Sequence, residues 1–320
     1  MNKVLLRPTN FEEFIGQQKL IVTLKTMISG SLFRKEPLDH ILFYGPPGVG
    51  KTSLAMIIAN ELQAKIHFLQ GNLLEKKADI LTVFAAVGEG DIVFIDEIHG
   101  INKSVEELIY NAMEDFKIDM IIGPEGNTKV LRMNLNHFTL IGATTKPNLL
   151  SLPLKDRFGL KAKLDQYSVE DIKTILINNS KRLKIDVAGD VLDLIAQYSQ
   201  NTPRIANHLL KRVYDFSIEK ESAILTKASV LKTLKYLEIY KYGLNKDHIE
   251  YLKTLKDVFD GKYSSVDAIA SIMNFNKENL IYDIEPLLLN HKLIVKSPRG
   301  RSITSKGIDY LLNVEFEDFT

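Results

Sequence analysis

Apolar positions follow two rhythms along this chain. Unbroken apolar runs occur at Ile41-Leu42-Phe43 and at Ile92-Val93-Phe94-Ile95, and further strands are expected at 66–69 and at 138–145, the latter ending in hydroxyls. Between them, apolar residues recur every three or four positions: over about 17–29, through Leu54, Ile57, Ile58 and Leu62, and over about 76–87 and 103–116. Unbroken runs suit parallel strands covered on both faces, and the helical spacing supplies the crossovers. The pattern predicts an α/β domain with a parallel sheet. One interval departs from it. In KIDMIIGPEGNTKVLRMNL, Ile118, Met120 and Ile122 alternate before a Pro/Gly/Asn turn, and Val130, Leu131, Met133 and Leu135 follow it. That predicts an inserted β-hairpin. It either projects, with an apolar face in need of a partner, or folds back on its own domain.

At Ser168 the strand–helix alternation stops. Helical spacing marks 168–181, 188–199, 203–219 and about 227–237, with Ser168 and Thr202 as N-caps and Pro203 at the first helical position. This is a small all-helical domain. From about Lys241 a third pattern begins: helices over about 247–259, 264–273 and 279–289, then a strand, LIVKSPRGRSITSKG, broken by a Pro-Arg-Gly-Arg turn. Helix-turn-helix followed by a hairpin is the winged-helix layout. The expected domains are 1–167, 168–238 and 241–320.

Composition narrows the classes. The 320 residues are 45% hydrophobic and 25% charged, ordinary for a globular chain. The net charge of +1 excludes a global basic field, so any nucleic-acid site is a local patch. No cysteine is present, which excludes disulfides and thiolate metal sites and fits a reducing compartment. The N-terminal stretch has no signal-peptide core, and no run approaches the ~20 apolar residues of a membrane span. A soluble, cytoplasmic protein is expected.

The chemistry starts in HILFYGPPGVGKTSLAMIIAN, 40–60, which fits G-x-x-x-x-G-K-[ST] between a strand and a helix. Gly45 and Gly50 let backbone N–H groups curl around phosphate, Lys51 reaches the β/γ-phosphates and Thr52 offers a hydroxyl to Mg²⁺. The chain is expected to bind a nucleoside triphosphate. Asp96 and Glu97 end a buried strand at the edge where open α/β sheets bind ligands. Asp96 is expected at the Mg²⁺, and Glu97 is expected to activate the attacking water. Thr144 or Thr145 can reach the γ-phosphate or that water; alternation turns only one of them inward. Arg157 is either a surface charge or a finger for a neighbour's phosphates. The segment before the phosphate loop either packs over the nucleotide base or straps the domain. On the wing, Lys296, Arg299 and Arg301 at the hairpin tip, with Lys277 opening the preceding helix, suit phosphate contacts.

Taken in order, GPPGVGKTSLA, FIDEIH, the AMED helix before the hairpin, LIGATT, PLKDRFG, TPRIANHLLKRV and SPRGR resemble the RuvB family of AAA+ ATPases, bacterial motors that drive branch migration of Holliday junctions. The similarity runs from Arg7 to about Gly307. It implies a large AAA+ domain, a small helical lid and a winged-helix head. Leu6, Arg7, Tyr167 and the Glu114-Asp115-Phe116 segment would contact nucleotide. Gly48, Lys51, Thr52 and Ser53 would hold phosphate, and Thr52 with Asp96 the Mg²⁺. Thr145 would be the first sensor, Arg157 the trans arginine finger and Arg204 the second sensor. Lys277, Lys296 and Arg301 match DNA-contact positions; the lysines stand where arginine is usual and lack its bidentate fork. The implied assembly is a homohexamer around duplex DNA, docked to RuvA through the hairpin at about 117–135, with the RuvC resolvase in the same complex. A clamp-loader subunit is a rival, but the chain lacks the Ser-Arg-Cys those proteins usually carry. A nucleotide-switched transcription regulator is another, but no GAFTGA-like loop is present.

Overall fold

Ile41, Leu42 and Phe43 are almost fully buried, as a strand covered on both faces requires. In the computed structural model, which describes residues 6–122, 129–219 and 224–317, they form an interior strand of a five-stranded sheet. Helix α1 (Gln18–Arg34) precedes β1 (Ile41–Tyr44), and α2 (Lys51–Leu62), β2 (Ile66–Gln70), α3 (Lys77–Ala86), β3 (Ile92–Asp96) and α4 (Lys103–Asp115) follow. Then come the hairpin strands β4 (Lys117–Ile122) and β5 (Lys129–Asn134), β6 (Thr139–Thr144), α5 (Leu152–Asp156) and β7 (Leu160–Lys163). The main sheet runs β2-β3-β6-β1-β7, every pairing parallel. A fully buried Ile or Phe stabilises such a core by about 1.5–3 kcal/mol.

The hairpin is a separate antiparallel pair, as its alternation predicts. Its base belongs to the core: Ile118 is buried, and Met133 and Leu135 pack on the cluster formed by α3, α4 and the sheet. Leu131 is exposed, and Arg132 pairs with Asp119 across the strands. The expected turn at its tip lies outside the described residues. Strand β7 was not expected. Its sequence, LKAK, has one apolar residue on the buried face, and its charges suit the sheet edge it occupies.

The chain divides into two compact units, Met1–Tyr167 and Ser168–Thr320. The second opens with α6 (Val169–Leu183), whose N-cap Ser168 accepts from the Asp171 N–H. Next are β8 (Asp186–Val187), α7 (Val191–Gln197), α8 (Pro203–Glu219), β9 (Ile224–Leu225) and α9 (Lys227–Tyr236). The two-residue parallel pair β8–β9 carries no sequence signal at that length. Beyond it lie α10 (Lys246–Lys253), extended by a π turn over Thr254–Val258, and α11 (Val266–Met273). A second helical run joins α12 (Lys277–Asn279), a π turn over Leu280–Ile284 and α13 (Glu285–Asn290). The hairpin β10 (Ile294–Ser297) and β11 (Gly300–Ile303) follows, then α14 (Ser305–Glu317). The strand expected to run on to Gly307 ends at Ile303. Thr304 Oγ1 accepts from the Gly307 N–H at 3.0 Å, and Tyr310, Leu311 and Val314 then fall at helical spacing on the core. No helix among the described residues is long and apolar enough to cross a membrane.

His248, at the start of α10, is 5% exposed and its Nε2 has no partner among the described residues. Burial pushes its pKa down to about 4, against the opposing pull of Asp247. Unfolded, the ring titrates near 6.5. Below about pH 6.5 the unfolded chain therefore binds the extra proton, and the neutral ring's contribution is lost as pH falls toward 4. The shift corresponds to a loss on the order of 3 kcal/mol. Urea unfolding at pH 7.5 and 4.5 is expected to show a smaller pH difference in His248→Leu than in the wild type. An equal difference in both would remove His248 from the effect.

Candidate functional site

Three adjacent strands, β3, β6 and β1, end at one edge of the sheet, and each delivers polar groups there. From β1 comes the phosphate loop. Gly45 has φ 146°, and a Cβ on it would lie 2.2 Å from the Leu164 carbonyl oxygen, so no other residue fits. Gly48 (φ 80°) and Gly50 (φ 106°) complete the turn into α2. Lys51 begins α2; its side chain is buried, and Nζ donates to the Gly45 and Pro46 carbonyl oxygens at 2.8 Å each. Thr52 and Ser53 stand half-buried in the same first turn.

Residues before and after the sheet brace this loop. Phe14 packs on Gly50, and the buried Tyr167 donates its hydroxyl to the Val49 carbonyl oxygen at 3.0 Å. Gln17 Nε2 donates to the Asp165 carbonyl oxygen at 2.7 Å, tying the N-terminal segment down. The segment at 11–17 is thus a strap under the loop. Leu6 is half-buried, and Arg7 is exposed with Nη1 3.6 Å from Met56 Sδ on α2.

From β3 come Asp96 and Glu97, both half-buried. Glu97 takes a left-handed backbone, φ 46°, which turns its side chain toward the end of β6. Its Oε2 accepts from the Thr145 N–H and hydroxyl, both at 3.1 Å, and lies 3.1 Å from His99 Nδ1. His99 Nδ1 is also 2.9 Å from Thr144 Oγ1. The two threonines part as alternation requires. Thr144 is fully buried and its hydroxyl accepts from the Lys146 N–H, while Thr145 meets the carboxylate. His99 did not stand out in the sequence; the only signal was its place two residues after the acidic pair.

Arg157 and the Glu114-Asp115-Phe116 segment lie at the opposite edge. Leu160 pairs with Ile41, the first residue of β1, and Arg157 precedes it by three residues. Phe116 packs on His40, His137 and Phe138, which precede β1 and β6, with ring centroids 6.2, 4.6 and 5.6 Å away. The four residues of β1 separate the two edges by about 13 Å. Arg157 Nη2 donates to the Glu114 carboxylate, its guanidinium lies 5.8 Å from the Tyr110 ring centroid, and its Nε is buried with no partner among the described residues. Asp115 is exposed.

In the second unit, Arg204 stands exposed in the first turn of α8. Lys277 is exposed at the start of α12 and pairs with Asp267 at 2.8 Å. The wing departs from expectation. Ser297 pairs with Gly300, so the tip is Pro298-Arg299, and Lys296 and Arg301 face each other across the strands behind it. Arg299 is exposed, whereas the Arg301 side chain is 11% exposed and bound to Glu285. A Cβ at Gly300 would meet the Ser264 carbonyl oxygen at 2.3 Å, which explains the glycine there.

The residues at the carboxyl edge suit a Mg²⁺–nucleoside triphosphate. Among the described residues no group of three or more His, Asp or Glu could hold a metal alone. Thr52 in the first turn of α2 and Asp96 at the end of β3 are oxygen donors of the kind a hard cation takes beside phosphates and water.

Comparison with known proteins covers nearly the whole chain. Residues 6–164 match the Holliday junction DNA helicase RuvB P-loop domain, 167–240 the RuvB AAA lid domain and 241–312 the RuvB C-terminal winged helix domain. The Holliday junction branch migration complex subunit RuvB of Mycoplasmopsis synoviae is 54% identical over 96% of this chain and 98% of its own. That of Pseudothermotoga lettingae is 43% identical over 96% and 90%. The solved Thermotoga maritima RuvB Holliday junction branch migration motor superposes with a TM-score of 0.83 at 37% identity, covering 96% and 98%.

Proposed function

The chain belongs to the RuvB family of Holliday junction branch-migration ATPases, and on that premise we propose that it is an ATP-hydrolysing, helicase-type motor working on duplex DNA as a homohexamer. The observation that carries this is the division of labour between the sheet's two edges. One edge collects the phosphate loop, Asp96, Glu97 and Thr145; the other carries Arg157, about 13 Å away along β1. Arg157 cannot complete its own chain's site across the sheet. A second copy that presents its amino edge to the first copy's phosphate loop would supply it. The Glu114-Asp115-Phe116 segment would reach the neighbour's nucleotide in the same way.

Within the site, Gly45, Gly48, Gly50, Lys51, Thr52 and Ser53 bind the triphosphate, with Leu6, Arg7 and Tyr167 beside the nucleotide. Thr52 and Asp96 hold Mg²⁺, which when bound screens the phosphate charge. Glu97 orients a water and takes its proton as the oxygen attacks phosphorus, and ADP leaves. Thr145 holds the Glu97 carboxylate and registers loss of the γ-phosphate. The ammonium of Lys51 and the neighbour's guanidinium stabilise charge on the transferred group. Arg204 carries the change in phosphate occupancy to the lid.

Residues 1–167 form the ATPase domain, 168–238 the lid and 241–320 the head that grips DNA through Lys277, Lys296, Arg299 and Arg301. The hairpin at 117–135 is the docking site for RuvA, its exposed Leu131 offering apolar surface, and RuvC joins the same complex. We assign it to the cytoplasm, in keeping with work on DNA.

A synthetic four-way junction tests this function. With ATP, Mg²⁺ and RuvA, the wild type is expected to convert it into duplex arms, and Lys51→Ala is expected to abolish the conversion. ATP hydrolysis with no junction movement, even with RuvA present, would overturn the motor assignment.

A further inference from the structure

His40, the residue before β1, is buried and has no part in the chemistry above. Both of its ring nitrogens are committed. Nδ1 accepts from the Leu140 N–H of β6 at 2.9 Å. Nε2 lies 3.0 Å from the Met113 carbonyl oxygen, which can only accept, so Nε2 carries the proton. Burial lowers the His40 pKa, against the opposing pull of the Met113 carbonyl and Asp39, in keeping with a neutral ring. The Met113 carbonyl belongs to the last turn of α4, where a helix has no N–H of its own to offer. Glu114 is the next residue.

The main chain of the same residue holds the other half of this edge. The His40 carbonyl accepts from the Leu160 N–H at 3.2 Å, and Arg157 stands three residues before Leu160. Gly159 passes so close that a Cβ on it would lie 2.9 Å from Asp39 Cβ. Thr139 Oγ1 donates to the Leu38 carbonyl oxygen at 2.6 Å and fastens the segment itself to β6. Phe116 leaves α4 with a left-handed backbone, φ 52°, and its ring packs on His40 and Phe138. Glu114 and Arg157, which pair with each other, are thus both tied to His40, one through the ring and the other through the main chain. Substitution at 40 spares the main-chain bond and removes the ring's.

We propose that His40 is a positioning residue for the edge that acts in trans: its ring holds the end of α4, so that Glu114 and the Arg157 it pairs with meet a neighbouring copy's nucleotide in register. This rests on Arg157 acting between subunits, and the test separates the two. ATP hydrolysis by full-length variants is measured singly and after equimolar mixing before assembly, beside ATP affinity and thermal unfolding. The control pair is Lys51→Ala, which keeps the trans-acting edge, and Arg157→Ala, which keeps the phosphate loop. If this pair recovers no hydrolysis, Arg157 does not act between subunits, and the purpose assigned to His40 fails with it.

Given that control, two substitutions split the ring's two bonds. His40→Asn can still accept from the Leu140 N–H but is too short to reach Met113. It is expected to bind ATP as the wild type does and to lose hydrolysis by about 10–10²-fold, the cost that a misplacement of about 1 Å can carry. Mixed with Lys51→Ala, it is expected to recover hydrolysis, because those subunits bring an intact edge. Mixed with Arg157→Ala, it is expected to recover none. A general folding defect would show no such preference. His40→Gln places its amide nitrogen where Nε2 stood, keeps the bond to Met113 and leaves the Leu140 N–H unpaired. It is expected to unfold at a lower temperature yet to hydrolyse ATP within about threefold of the wild-type rate. Three results would each overturn the proposal: wild-type hydrolysis by His40→Asn, its recovery with Arg157→Ala rather than with Lys51→Ala, or an equal loss in His40→Gln. Should His40→Asn fail to fold, the rate of His40→Gln at a temperature where it is folded decides alone, and a loss beyond about threefold sinks the proposal.

Discussion

Arg157→Ala is expected to bind ATP normally and to lose about 10³-fold or more of its hydrolysis rate, the scale set by arginine fingers that act between subunits. The side chain stands at the amino edge of the sheet, beside Glu114 and over Tyr110, whereas its own phosphate loop leaves the carboxyl edge. Removing it should not disturb the loop of the same chain, so nucleotide affinity is the built-in control. A mixing experiment adds a sharper test. Lys51→Ala subunits hold no productive ATP but keep Arg157; Arg157→Ala subunits have the reverse defect. Mixed before assembly, the two inactive variants are expected to recover part of the hydrolysis, because one supplies the finger and the other the phosphate. No recovery, or normal hydrolysis by Arg157→Ala alone, would return Arg157 to the status of a surface charge.

The second large effect is expected at Glu97. Glu97→Gln keeps the volume and the contacts to Thr145 but cannot take a proton from water, and general-base losses run about 10²–10⁴-fold. ATP binding should persist, giving a variant that loads nucleotide and stalls. Thr145→Val is expected to produce a milder loss, because it removes one of the two bonds that Thr145 makes to the Glu97 carboxylate, while the Thr145 N–H and His99 remain. Single-turnover hydrolysis with pre-bound ATP isolates the chemical step. A Glu97→Gln protein that turns over at the wild-type rate would place the base elsewhere.

Local patterns made much of this protein legible from its residues. The phosphate loop is a local device: Gly45, Gly50, Lys51 and Thr52 act through their own backbone and the start of α2, so spacing suffices. The buried parallel strands were equally plain, since burial on both faces leaves unbroken apolar runs. The inserted hairpin and the helix-turn-helix with its wing also announced themselves by period. Edge and end elements did not. Strand β7 buries too little to show a pattern, β8 and β9 are two residues each, and α14 starts where a polar stretch reads as the end of a strand.

Which neighbours meet across the fold was another matter. Alternation said that only one of Thr144 and Thr145 turns inward. Only the packed structure, with Glu97 in a left-handed turn, puts Thr145 on the carboxylate and Thr144 on His99. Arg301 looked in sequence like the partner of Arg299 on an exposed tip. The register that pairs it with Lys296 turns it onto Glu285, sixteen residues away in sequence. The sequence by itself therefore determined the core elements, the phosphate-binding chemistry and the family, because each is written in contiguous residues. The tertiary structure alone decided which acid each hydroxyl and guanidinium serves and which edge of the sheet carries Arg157, because those depend on contacts between segments that no local spacing encodes.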